Sequence, residues 1–164
     1  MTKIAVIGLG NPLLKDDGIG PRVIRELQKS DLPPWVKAVE AGGSFYYYWD
    51  LLLNCRYVIA VDSMLGGGLP GSVYLVTPEQ IAGSEPVPGL RHEVHFLDVL
   101  KMVSFYGARP QVTIIGVEPK EITYSTELSM EIAEKIPAIT GIVRQLCQSF
   151  NPSPMAIINK TVVR

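Results

Sequence analysis

Residues 3–27 read Lys-Ile-Ala-Val-Ile-Gly-Leu-Gly-Asn-Pro-Leu-Leu-Lys-Asp-Asp-Gly-Ile-Gly-Pro-Arg-Val-Ile-Arg-Glu-Leu, in the order strand, glycine-rich turn, polar loop, helix. Ile4 to Ile7 is an uninterrupted apolar run, the pattern of a strand covered on both faces in a parallel sheet. Gly8 and Gly10 allow a tight turn, which Asn11 and Pro12 continue. Asp16 and Asp17 precede a second glycine pair, Gly18 and Gly20, and a helix follows with Ile19, Val23 and Leu27 on one stripe. A dinucleotide fingerprint would need a glycine at the position of Leu13, so that reading fails. Asp17 stands where a helix N-cap belongs, and Pro21 suits the first turn, so capping is one reading of this acid.

Outward from this stretch, strand and helix patterns alternate. Short strands are expected at Val36 to Val39, Tyr57 to Val61, Ser72 to Val76 and Gln111 to Val117. Helices are expected from Ser44 to about Leu53, from about Val94 to Tyr106, and from about Glu127 to Ser149, where Pro137 should kink or split the last one. The aromatic group Tyr46 to Trp49 can grip a peptide or pack in the core, and its neighbours Leu51 to Leu53 favour packing. Thr77 to Leu90 is rich in proline and glycine and reads as a loop. The pattern gives an α/β fold, a three-layer α/β/α sandwich around a mostly parallel five-stranded sheet. No helix signal joins Asp62 to Ser72, so the strand after it should run antiparallel to its predecessor and make the sheet mixed. At 164 residues the chain is expected to hold one domain over 1–150, with a proline-opened tail over 151–164.

Composition narrows the function. The formal net charge is −1 with no basic stripe, which argues against nucleic acid. The apolar runs are too short to span a membrane, and no apolar leader precedes a cleavage site. Cys55 and Cys147 are far apart in sequence, so no disulfide framework is implied and a reduced, cytoplasmic setting is expected. Cys55, at the start of an apolar strand, reads as a small core residue rather than a nucleophile.

In open α/β sheets, ligands bind beyond the carboxyl ends of the strands. The sequence delivers Asp16, Asp17, Glu40, Gly43 and Asp62 there, with His92 brought up by the loop before a helix. Two carboxylates and an imidazole suit a divalent transition metal, weakly and with open positions. Each residue also has a plainer role. Asp62 can accept from the glycine-rich loop, His92 can be a surface histidine with His95 as competitor, and Glu93 can be a first-turn acid.

Gly8-Leu-Gly-Asn-Pro-Leu-Leu-Lys-Asp-Asp-Gly-Ile-Gly20, Val58 to Asp62 with Gly68-Leu-Pro-Gly-Ser72, Arg91-His92-Glu-Val-His-Phe-Leu-Asp98 and Gly116-Val-Glu-Pro119 occur in this order. Over residues 3 to 146 this combination resembles the hydrogenase maturation endopeptidases. The resemblance implies a phosphorylase/hydrolase-like fold and a nickel ion held by Asp17, Asp62 and His92. It implies that the nickel arrives with the substrate, a [NiFe]-hydrogenase large-subunit precursor, whose short C-terminal extension is then removed. His92 is favoured over His95 by motif position, although His95-Phe96 replaces the family's usual Gly-Leu pair. Asp17 or Asp16 is the expected catalytic acid-base group, and Gly42, Gly43, Asn11 and Glu93 are the expected substrate-binding residues. Gly8-Leu-Gly-Asn-Pro12 also resembles the opening of peptidyl-tRNA hydrolases, but Lys15-Asp-Asp-Gly stands where that family has its catalytic histidine stretch. A nickel-dependent assembly chaperone without cleavage is a further alternative.

Overall fold

A computed structural model describes residues 2–41, 48–83 and 92–150, with the backbone alone for 92–95. In chain order the elements are β1 (Ile4–Gly8), α1 (Ile19–Gln28), β2 (Val36–Glu40), α2 (Trp49–Asn54), β3 (Tyr57–Ser63), β4 (Val73–Val76), α3 (Pro78–Ala82), α4 (His92–Phe105), β5 (Gln111–Val117), α5 (Met130–Ala133) and α6 (Ile136–Ser149). A 3₁₀ turn over Lys15–Gly18 leads into α1.

The five strands lie in the order β2-β1-β3-β5-β4. All neighbours are parallel except β4, which runs antiparallel along the outer edge of β5. Alternation along the strands makes two cores. Ile4, Val6, Ile59, Val61 and Ile115 face α1 and α6 through Val23, Leu27, Ile139 and Val143. Ala5, Ile7, Val58, Ala60 and Ile114 face α2 and α4 through Leu52, Phe96, Val99 and Val103. Burial on both faces explains why the strands read as continuous apolar runs. The expected three-layer sandwich with a mixed five-stranded sheet is the observed one.

The differences are local. β4 has the expected direction, but β5 inserts between it and β3. The expected loop after Val76 contains α3, opened by a capping box in which Thr77 and Gln80 satisfy each other's backbone. That Thr-Pro-Glu-Gln signal is legible in the sequence and outweighs the later glycines and prolines. The last helix divides into α5 and α6, with Pro137 in the first turn of α6, where its missing N–H costs nothing. Asp17 does not cap α1. Gly18 holds the N-cap position without a side-chain bond. Ser44, Tyr46, Tyr47 and the 151–164 tail lie outside the described residues, while Tyr48 and Trp49 pack against the second core. Among the described residues no helix is long and apolar enough to cross a membrane.

The connection leaving β1 passes over one face through α1, and the one reaching β3 passes over the other through α2. The crevice between the carboxyl ends of β1 and β3 is therefore the switch point, where ligands bind in such sheets. The close approach of α1 to this crevice depends on Gly20. A Cβ there would lie 2.1 Å from the Leu9 carbonyl oxygen and 2.4 Å from that of Val61. Gly20→Ala is expected to lower unfolding stability by about 2 kcal/mol or more through overpacking. A urea midpoint equal to wild type would contradict this packing.

Candidate active site

The turn after β1 holds the crevice open with backbone alone. Gly10 has φ +104°, and a Cβ on it would fall 2.0 Å from the Asp17 carbonyl oxygen and 3.4 Å from Asp62 Oδ1. The glycine thus lies between the Asp17 backbone and the Asp62 carboxylate. The Ser63 hydroxyl donates to Asp17 Oδ1 at 2.7 Å, and the Asn11 N–H donates to Oδ2 at 2.8 Å. These donors fix the direction of the Asp17 carboxylate. Asp62 and Ser63 are consecutive on β3, so their side chains take opposite faces. Ser63 follows the α1 side and reaches Asp17, while Asp62 follows the α4 side. Asp17 is 3% exposed and Asp62 1%.

Asp16, one residue away, does something else. It is fully buried, and its carboxylate accepts from Ser129 N at 2.7 Å, Ser129 Oγ at 2.8 Å, Lys120 N at 3.0 Å and Glu121 N at 2.9 Å. It pins the segment between β5 and α5 against the loop after β1. Lys15 N to Ser125 O and Ser125 N to Leu13 O continue the seam. The Lys15 ammonium meets Glu121 at 2.5 Å, and that hydrogen bond, then the lysine's charge, holds the Glu121 carboxyl below its ordinary range. The geometry equips Asp16 as a structural clamp rather than the acid-base group the sequence suggested.

Residues 21–146 match the sequence model described as hydrogenase maturation protease. The chain belongs to this family. The hydrogenase 2 maturation protease of Escherichia coli is 26% identical over 151 residues, covering 90% of this chain and 92% of that protein. The solved structure of the E. coli hydrogenase maturating endopeptidase HybD has a TM-score of 0.78 at 25% identity, covering 91% of this chain and 94% of that one. A hydrogenase 2 maturation peptidase from a Thaumarchaeota archaeon is 32% identical with a TM-score of 0.66, covering 89% and 98%.

In this hydrogenase maturation protease α4 brings its first residue to the carboxyl end of the sheet. The helix spans about 21 Å and finishes shortly before β5 begins at the opposite end, so His92 starts above the crevice on the side Asp62 faces. The side chains of His92, Glu93 and His95, and Gly42 and Gly43 entirely, lie outside the described residues. Among the described residues no cluster of three metal-binding side chains is assembled. Of the expected ligands, Asp17 and Asp62 both lie buried at the end of β3, Asp17 through its bond to Ser63 and Asp62 beside Gly10. Asn11 shapes the turn: its Oδ1 accepts from Leu13 N at 2.9 Å and its carbonyl from Leu14 N at 3.1 Å. Glu40 is bound to Arg25 by two hydrogen bonds, of 2.8 and 3.1 Å. Three residues with supporting roles escaped the sequence reading. Ser63 orients Asp17, and its signal was its place after the strand-ending acid. Glu118 and Tyr74 hold the loop beyond Ser63, and only their places, just after β5 and on β4, hint at this.

The protease has no available thiol nucleophile. Cys55 and Cys147 are both buried, and burial pushes each thiol up to about 11. At pH 8, iodoacetamide is expected to label the native protein on the order of 100-fold more slowly than the urea-unfolded chain, because thiolate is scarce. Equal labelling rates by mass spectrometry would contradict this. Asp16→Ala is expected to cost at least about 3 kcal/mol, since two buried and two partly buried donors lose a charged acceptor. A wild-type thermal midpoint for that variant would show the clamp to be dispensable.

Proposed function

We propose that this protease removes the C-terminal extension of a [NiFe]-hydrogenase large-subunit precursor in the cytoplasm, after nickel has been installed there. The observation that supports this reading best is the burial of both Asp17 and Asp62 at the switch-point crevice, with Ser63 fixing the Asp17 carboxylate and Gly10 beside Asp62. Two acids, one in the turn after β1 and one at the end of β3, are buried at the crevice. That arrangement suits the completion of a coordination shell or the handling of a water proton.

Nickel is here part of the substrate, and when bound it supplies a Lewis acid beside the scissile bond. Asp17, Asp62 and His92 would be the donors this chain offers it. A site of oxygen and nitrogen donors with open positions holds a transition metal weakly alone and strongly once substrate ligands complete the shell. Precursor without the ion then lacks the contact that distinguishes the right substrate, so recognition and readiness are tested together. In this reading Asp17 orients the attacking water and accepts its proton. Its carboxylate direction is set by Ser63 and Asn11, which leaves the acid prearranged rather than searching among rotamers. Asn11, Gly42, Gly43 and Glu93 bind the incoming peptide in this reading.

Asp17→Asn is expected to reduce processing to below about one-hundredth of wild type, the usual scale for loss of an acid-base group, with the fold retained. Mass spectrometry of precursor incubated with the protein should show a lost C-terminal peptide with nickel-loaded precursor and none with nickel-free precursor. Equal cutting of both forms would contradict substrate-carried nickel, and normal processing by Asp17→Asn would remove Asp17 from the chemistry.

A further inference from the structure

Large apolar side chains are exposed at the carboxyl end of the sheet, around the crevice. Tyr124 is 93% exposed, Leu69 81% and Met130 74%, and Leu13, Leu65 and Ile122 are also exposed. They belong to three chain segments that the structure ties together. Leu13 and Ser125 are joined by a backbone hydrogen bond, which sets Tyr124 and Ile122 beside the loop of Asp16 and Asp17. Ser129, next to Met130, is held by Asp16. Gly71 N bonds to the Glu118 carbonyl and Met64 N to that of Val117, which sets Leu65 and Leu69 at the end of β5.

The loop carrying the two leucines is held more firmly than an exposed loop needs. Glu118 Oε2 accepts from Gly66 N at 2.6 Å and from the Tyr74 hydroxyl at 2.8 Å, and Gly68 N donates to that hydroxyl at 2.9 Å. A Cβ on Gly66 would lie 2.5 Å from the Tyr74 ring, and one on Gly68 2.4 Å from its hydroxyl. The glycines let the loop wrap closely around the tyrosine, and the result is that Leu65 and Leu69 are presented outward in a fixed position. Between the apolar groups stand the ion pairs Lys15–Glu121 and Lys120–Glu131. Apolar anchors interleaved with charged pairs around a reaction site are the make-up of a protein-docking surface.

We propose that this rim docks the folded body of the protein substrate, so that the protease grips the precursor outside the segment it cuts. The inference rests on the peptidase reading above. The rim is continuous with the crevice where that substrate must enter, which makes the same partner its occupant. The test uses the full-length protease and nickel-loaded precursor, with Leu69→Asp and Tyr124→Asp combined and Phe105→Asp, at an exposed site on α4, as control. The double variant should raise KM by about tenfold or more while moving kcat by less than about threefold, and the control should match wild type in KM. An unchanged KM for the double variant would overturn the docking surface. If it does not fold, Leu69→Ser with Tyr124→Ser takes its place and must still raise KM. A rim that only joins two copies of this chain would show as a dimer in sedimentation that the double variant dissolves with KM unaltered, and this too would overturn the proposal. Failure of the peptidase reading registers separately, as wild-type protein that leaves the precursor uncut.

Discussion

Gly20 lets the first turn of α1 rest on the Leu9 and Val61 backbone, and the positions of both acids follow from that contact. A side chain there would collide with two carbonyl oxygens, so helix and sheet could not meet as they do. Because they meet, the short 3₁₀ turn before the helix is forced over the carboxyl ends of β1 and β3. Gly10, in the left-handed region at φ +104°, closes the remaining gap with backbone and lies between the Asp17 carbonyl and the Asp62 carboxylate. A glycine framework that fails as a dinucleotide turn serves here to bring the Asp17 backbone up to the end of β3.

Adjacent carboxylates divide their labour through that same turn. Asp16 points inward and joins the loop after β5 to the loop after β1. Asp17 points to the end of β3 and is met by Ser63. The clamp made by Asp16 also supports the surface above it, since the segment it anchors carries Ile122, Tyr124 and Met130. In this view the site and the rim around it are one construction. Local sequence sets the turn, buried hydrogen bonds lock the flanking loops, and the exposed groups those loops carry are left facing a partner.

The fold was largely legible because its signals are local. Ile4 to Ile7 and Tyr57 to Val61 read as buried strands, and the polar residues at their ends marked the crevice. The rule that ligands gather at strand ends gathered Asp16, Asp17, Glu40 and Asp62 alike, and only the family resemblance singled out Asp17 and Asp62. What could not be read depends on contacts between residues far apart in the chain. Asp16 meets Lys120 and Ser129 across separations of 104 and 113 residues, and the neighbouring Asp-Asp pair gives no hint which acid will be clamped. Asp17 looked like a helix cap because capping is a local pattern, while its actual partner, Ser63, comes from another strand. The order of β5 and β4 was hidden for the same reason, because sequence adjacency did not become adjacency in the sheet. The capping box at Thr77 was readable, but the glycines and prolines after it drew the reading toward a loop, while in the structure the box wins.

The proposed account turns on Asp17 and Asp62 meeting a metal that the substrate carries. X-ray absorption at the nickel edge addresses this directly, comparing loaded precursor alone with the same precursor bound to this protein. The account predicts that binding adds oxygen and nitrogen neighbours to the shell of the ion, and that Asp62→Asn removes part of that gain. An identical nickel spectrum in the free and bound precursor, with binding verified independently, would contradict it.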